Sequence, residues 1–351
     1  MSFTFTTVDR MRIGTHDLNE RVLVIAEIGN NHEGDFTRAQ EMIVRAAEAG
    51  ADAVKFQTIV PDRLVSATDT ARIEQLTRFR FDYDQFARLA ETAERAGVIF
   101  LSTPFDLESA AALAPLVPAF KVASGDNDFF ALLAVVARMG KPVLLSTGML
   151  DLAGVQRAAE HIAAQRPTER PAEKPQAGLV LLHCVAAYPA PVEDANLGAL
   201  RSMASLGHPV GYSDHTLGIE AAVLSVALGA RVIEKHFTLD KTLSTFRDHA
   251  LSADPSDMAE LVRRVREAET LLGDGIKRPA TSELANMTAA RRAIAAVRDL
   301  PAGHVLALED LTWLRPRRGL EPGRESELIG CRLAVPVARG EAFTLDHMAE
   351  G

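Results

Sequence analysis

Short apolar runs alternate along this chain with longer stretches in which apolar residues recur every three or four positions. The runs fall at 22–29, 53–58, 98–103, 119–124, 142–148, 178–185, 210–215 and 232–238. They are rich in Val, Ile, Leu or Phe with little polar alternation, which predicts strands covered on both faces. The stretches at 35–50, 82–97, 106–114, 128–140, 151–166, 196–207, 218–229 and 255–273 predict helices. Several open on Asp or Asn, whose side chains accept from the free N–H groups of a first turn, and several end at Gly, which suits the left-handed stop. Eight strand–helix units in order, over about 250 residues, predict an α/β fold of the (β/α)8 barrel (TIM barrel) type. A doubly wound open sheet is the alternative, and the regular count favours the closed barrel.

Two stretches break this rhythm. Residues 166–176, RPTERPAEKPQ, are too proline-rich for helix or strand and predict a loop on the barrel face away from catalysis. Residues 273–288, with Gly, Pro and polar side chains, read as a linker. The predicted organisation is a barrel domain at 1–275, a linker at 276–290 and a small C-terminal domain at 291–351. Short runs at 293–297, 312–314 and 332–336 and around Phe343, divided by loops such as DLPAGH and VARGEA, make that last part a small β-rich module.

Composition narrows the function. Of the 351 residues, 47% are hydrophobic and 24% charged, which is ordinary for a folded enzyme and unlike a disordered chain. No apolar run approaches the roughly 20 residues that span a bilayer, so no membrane partner is expected. The start, MSFTFTTVDRMRIG, lacks the marks of a secretion signal. Cys184 and Cys331 are the only cysteines, too few for a disulfide framework, and a cytoplasmic location is expected. A net charge of −9 argues against nucleic acid as a partner. An anionic small molecule stays open, because a few local lysines can dominate one pocket.

Polar residues gather where the predicted strands end, which is where barrel active sites lie. Glu27, Asn30, Asn31 and His32 follow the first run. Lys55 and Gln57 lie on the second, and Ser102 and Thr103 close the third. Lys121, Ser124 and Asp126 surround the end of the fourth, and Ser146 and Thr147 that of the fifth. Tyr188 follows the sixth, Ser213 and His215 end the seventh, and Glu234 and His236 lie on the eighth. Residues two apart share a strand face, so His215 and His236 could meet at the mouth. Two imidazoles with water or substrate oxygens suit a divalent metal such as Mn²⁺ or Zn²⁺, although each ring could instead bond a backbone carbonyl. Lys55 and Lys121 need an anion or a carboxylate to be buried: either a cradle for carboxylate or phosphate, or structural ion pairs. Lys121 and Ser124 have opposite parity and share the pocket only if the chain bends near Ser124–Gly125. Glu27 could exchange a proton, cap a helix or hold an ion pair. Asp126 and Asp248 could equally be ordinary loop residues. The cysteines show no metal spacing and read as structural.

The ordered set AEIGNNHEGD (26–35), VKFQT (54–58), LSTPFD (101–106), KVASGD (121–126), LLSTGM (144–149), HCVAAYPAP (183–191), GYSDHT (211–216) and EKHFTLD (234–240) resembles the sialic acid synthase family, including its spore coat polysaccharide synthases. The tail RRAIAAVRDLPAGHVLALEDLTWLRP resembles that family's antifreeze-like (SAF) domain. The resemblance implies condensation of phosphoenolpyruvate with an N-acyl hexosamine to give a nonulosonic acid and phosphate. It implies a metal, usually Mn²⁺, on His215 and His236. It places Lys55, Thr103, Lys121, Ser124, Ser146 and Ser213 on phosphoenolpyruvate and Glu27 near the reacting carbons. It places Gln57, Asp126, Tyr188 and Asp248 on the sugar, with Asp126 in place of the usual Glu. It matches Arg315 to an arginine delivered into a partner's site, which implies a domain-swapped homodimer. The departures fall mostly on the sugar side. Ala186 stands in place of a phosphate-side Ser or Asn, the segment 59–81 is short, Phe246-Arg247-Asp248 replaces Gly-Pro-Asp, and Arg317-Arg318-Gly319 replaces a smaller turn. Two alternatives follow: another phosphoenolpyruvate or aldol-type barrel enzyme whose phosphorylated acceptor meets Arg247, Arg317 and Arg318, or a noncatalytic sugar-binding homologue.

Overall fold

The eight apolar runs become eight parallel strands in the computed structural model, which describes residues 11–167 and 178–349. They are β1 (Leu23–Gly29), β2 (Ala53–Thr58), β3 (Ile99–Pro104), β4 (Phe120–Val122), β5 (Val143–Ser146), β6 (Leu179–Cys184), β7 (Val210–Asp214) and β8 (Ala230–His236). Hydrogen-bonded neighbours run β4-β5-β6-β7-β8-β1-β2-β3, and β3 and β4 lie side by side to complete the ring. The chain has the expected (β/α)8 architecture. Most of the predicted proline-rich loop, 168–176, lies outside the described residues.

Helices follow the strands: α1 (Phe36–Glu48), α2 (Tyr83–Arg95), α3 (Leu107–Leu113), α4 (Phe130–Arg138), α5 (Leu152–Ala164), α6 (Ala199–Ala204), α7 (Glu220–Ala227) and α8 (Pro255–Leu272). Asp35, Asp82, Asp106, Asp151 and Asp254 each accept from first-turn N–H groups, so these starts fall where the sequence puts them. Asp128 and Asn196 do not. Helix α4 begins at Phe130 without a side-chain cap, and Asn196 takes φ +37° in the turn before α6.

Strand alternation builds two shells. Outward residues such as Val24, Val54, Phe56, Phe120, Leu145, Leu181 and Ile233 pack under the helices. Inward residues Leu23, Ile25, Ala53, Leu101, Ala119, Leu144, Val180, Leu182 and Val232 fill the barrel floor. A hairpin (Arg12–Ile13 with His16–Asp17) brings Met11, Ile13 and Leu18 into that floor from below. Two residues further along each strand the inward positions turn polar, and the site begins there.

Contacts divide the chain into two units, Met1–Gly273 and Asp274–Gly351. In the second, β9 (Ala293–Ala296) pairs antiparallel with β10 (Leu311–Leu314). Its core holds Ile294, Leu300, Leu306, Leu311, Leu333, Val337 and Phe343. Within this unit one element departs from expectation. Residues 281–290, predicted as linker, form a helix, α9 (Thr281–Ala290). It buries none of its residues, so it shows no apolar stripe to signal it. Among the described residues, no helix is long and apolar enough to cross a membrane.

Candidate active site

The polar inward layer is a closed charge network. Register sets Glu27 opposite Lys55 on β2 and opposite His236 on β8, and Ser213 opposite Glu234. Lys55 Nζ lies 2.7 Å from Glu27 Oε2 and 3.7 Å from Glu234 Oε2, and donates to Thr103 Oγ1 at 3.1 Å. Lys121 Nζ is 3.6 Å from Glu234 Oε1, which accepts from Ser213 Oγ at 2.9 Å. Gln57 Nε2 donates to Glu27 Oε1 at 2.9 Å, and Asn30 Nδ2 to Gln57 Oε1 at 3.0 Å. All four charged groups are buried. Taking one charge away would strand another at a cost of about 3–5 kcal/mol, so the layer stands only as a set. Of the two sequence readings of the lysines, the ion pairs to carboxylates are what the structure has, at the barrel mouth.

Electrostatics make the members unequal. Burial opposes the charge on Lys55, but Glu234 and Glu27 outweigh it and hold its pKa above the usual range. For Lys121 burial wins over Glu234, and its pKa is lowered. Burial would raise Glu234, yet Lys121, Lys55 and Ser213 pull it down. Glu27 goes up, because burial, with Glu234 adding to it, exceeds the pull of Lys55. Glu234 is thus held as an anion between the two lysines, while burial works against the charge on Glu27.

The two histidines meet beside this network, with ring centroids 5.4 Å apart. His215 Nδ1 bonds the Val185 carbonyl at 2.8 Å, which fixes the ring and leaves Nε2 as its lone-pair nitrogen. His236 Nδ1 is buried without a hydrogen-bond partner. Burial lowers both pKa values, so both rings are neutral and able to ligate. Tyr188 covers His215 at 4.2 Å between centroids and meets His236 edge-on at 6.1 Å.

The remaining predicted residues are spread around this centre. The bend required near Ser124 is present, since β4 stops at Val122 and Ser124–Asp126 is a 3-10 turn. Ser124 Oγ accepts from Gly148 N at 3.1 Å and donates to Cys184 Sγ at 3.4 Å. A Cβ at Gly148 would come within 2.7 Å of that hydroxyl, so glycine permits the approach. Ser146 Oγ is buried without a partner. Asp126 is buried as well, and its Oδ2 has no hydrogen bond. Asp248 contacts Arg247 Nε at 3.2 Å, and the Arg247 guanidinium lies 4.9 Å over the Tyr188 ring. Arg315 belongs to the second unit, where it lines a cavity of about 510 Å³ with Arg318, Glu341 and His347. Arg317 pairs with Glu321.

Comparison with known proteins gives this geometry its relatives. A model of the NeuB family matches residues 42–277, and one of the SAF domain matches residues 291–349. The chain belongs to the NeuB family. It is 39% identical to an N,N'-diacetyllegionaminic acid synthase of Legionella pneumophila, over 93% of this chain and 94% of that protein. It is 33% identical to the human N-acetylneuraminate-9-phosphate synthase, over 91% of this chain and 90% of that one. The crystal structure of the sialic acid synthetase of Leptospira borgpetersenii with citrate superposes with a TM-score of 0.72 at 33% identity, covering 79% of this chain and 94% of that chain.

In this NeuB-family chain two inner residues receive no site role from sequence. Glu234 joins both lysines and Ser213. Its two-residue spacing from His236 signals a shared face, but nothing in the sequence reveals that its partners come from β2, β4 and β7. Cys184, read as structural, sits 3.7 Å from His215 Nδ1 and accepts from Ser124. Its only signal is strand parity with Leu182.

Proposed function

We propose that this chain is a nonulosonic acid synthase, a transferase that condenses phosphoenolpyruvate with the open-chain form of an N-acyl hexosamine and releases phosphate, for surface polysaccharide synthesis. The observation that carries this reading is the buried Glu27–Lys55–Glu234–Lys121 layer lying against two neutral imidazoles at the barrel mouth. The names of the relatives agree with it, since they are sialic and legionaminic acid synthases.

Lys121 and Lys55, with Thr103, Ser124, Ser146 and Ser213, hold the carboxylate and phosphate of phosphoenolpyruvate. The unpartnered Ser146 hydroxyl is a ready donor. Gln57, Asp126, Tyr188 and Asp248 hold the sugar. Holding both substrates in line supplies much of the rate, because the methylene carbon of phosphoenolpyruvate must meet the aldehyde carbon in one orientation. Charge then develops on the enol carbon that bears the phosphate, where water adds. Glu27 accepts that water's proton, and the former aldehyde oxygen takes up one proton to become a hydroxyl. The new hydroxyl on the phosphate-bearing carbon then gives its proton to the departing phosphate as the C–O bond breaks and the keto group forms.

A divalent metal, Mn²⁺ by resemblance, fits His215 and His236. Both rings are neutral, His236 Nδ1 has no protein partner, and the Val185 carbonyl sets the His215 tautomer. Among the described residues no third His, Cys, Asp or Glu joins them, and water or substrate oxygens would be the further ligands. When bound, such an ion supplies Lewis-acid polarisation of the aldehyde. We also propose a homodimer in which Arg315 of one chain serves the site of the other.

The test is phosphate release by the purified protein with Mn²⁺, phosphoenolpyruvate and a panel of N-acyl hexosamines, each with and without a 6-phosphate. At least one acceptor should give turnover that is lost in His215→Ala. No release with any acceptor overturns the reading, and turnover only with phosphorylated acceptors reassigns the substrate.

A further inference from the structure

The segment between β8 and α8 carries Arg247 and Asp248, and their position against Tyr188 depends on how that segment is anchored. The anchor is His249, fully buried. Its Nδ1 bonds Thr238 Oγ1 at 2.7 Å, within the same segment. Its Nε2 donates to Glu33 Oε1 at 2.9 Å, across to the turn that follows β1. The same carboxylate oxygen accepts from Ser244 Oγ at 2.7 Å. Glu33 therefore grips the segment at two points on either side of Arg247. It does so from φ +51°, a backbone conformation that only glycine adopts freely. A glutamate there is kept against that preference, and its side-chain bonds give the reason. A second strap runs in parallel. Asn31 Nδ2 donates to the Phe237 carbonyl at 2.8 Å and to Ser252 Oγ at 3.0 Å. Asn31 closes the two ends of the segment, and Glu33 holds its middle.

We propose that Glu33 and His249 are positioning residues for the acceptor end of the site, fastening the β8–α8 segment so that Arg247 and Asp248 stand against Tyr188. The kinetic part of this inference rests on the proposed function; the structural part does not. Arg247 lies over Tyr188, and Tyr188 over His215, so slack in the segment reaches the acceptor contacts first. Among the described residues, the side-chain hydrogen bonds of Glu33 and His249 go to each other, Ser244 and Thr238, and not to the lysines and hydroxyls assigned to phosphoenolpyruvate.

Two variants separate positioning from bulk stability. Glu33→Gly deletes the carboxylate while suiting the positive φ, so the backbone of the turn is not strained by the change. Glu33→Gln keeps an accepting oxygen for Ser244 and His249. In Glu33→Gly the acceptor KM should rise about tenfold, with the phosphoenolpyruvate KM within about twofold of wild type. Glu33→Gln should stay near wild type in both. Tryptic cleavage after Arg247 in the native protein should quicken at least about fivefold in Glu33→Gly and not in Glu33→Gln. An unchanged acceptor KM in active Glu33→Gly, or a parallel rise in both KM values, overturns the proposal. If even the wild type turns over no acceptor, the proposed function fails instead. Cleavage then decides the clasp, and equal rates in wild type and Glu33→Gly sink it.

Discussion

Asp126 shows how one side chain can be costly to the fold and useful to the site. It sits in the turn after β4, buried, with Oδ2 unpartnered. Burial, and then the neighbouring Asp128, push its carboxyl up to about 6. An unfolded aspartate titrates near 3.9, so between about pH 4 and pH 6 the native state binds more protons than the unfolded one. Its contribution is most favourable below about pH 4 and is lost as pH rises through about 6. Asp126→Asn removes the ionisation. It should stabilise the protein at pH 7 by about 1–3 kcal/mol and leave stability unchanged below about pH 4, read from urea midpoints at the two pH values. If Asp126 is placed for the acceptor as proposed, the same variant should bind sugar less well, the usual exchange of stability for function at a site. A variant no more stable at pH 7 than wild type would show that Asp126 is solvated in solution.

At the scale of elements, legibility followed burial. The eight strands were readable because each is a short run, covered on both faces, whose outward positions and lower inward positions are apolar. Five helix starts were readable because an Asp caps each. Helix α9 was not, since with no buried face it has no periodic stripe. The site was half legible for the same reason. Strand parity allowed His215 to meet His236, and the cost of a buried charge singled out Lys55 and Lys121, but neither says anything about pairing between distant strands, and the pairing makes Glu234 central. Gly211 on β7 is a sharper case. It faces the barrel interior, where a Cβ would come within 2.5 Å of Leu182 Cδ2 and of the Val232 carbonyl. In sequence it is one more glycine in a strand. Gly211→Ala should overpack the floor and lower stability by about 1–3 kcal/mol, checked by thermal unfolding, with the polar layer above left to report through activity. A stability equal to wild type would mean the floor has room that the structure does not show.

For the whole molecule the question is what the second unit contributes. It has its own core, and Arg315 and Arg318 stand exposed on it, lining one cavity with Glu341; among the described residues Arg315 makes no ion pair. An arginine left unpaired on a small, independent core is what a module would carry if its counter-charge lay elsewhere. The proposed swapped dimer can be tested without seeing it. His215→Ala and Arg315→Ala should each be nearly inactive alone. In a mixed dimer, one barrel keeps both histidines and receives an intact Arg315 from the other chain, while the second barrel has lost both. Random mixing after reversible dissociation makes about half the dimers mixed, each with one whole site, so activity should recover to about a quarter of wild type. If Arg315 serves its own barrel, no chain in the mixture has both residues, and activity stays at the level of the variants. Recovery without dissociation, or none after it, would each rule out delivery of Arg315 through a stable swapped dimer.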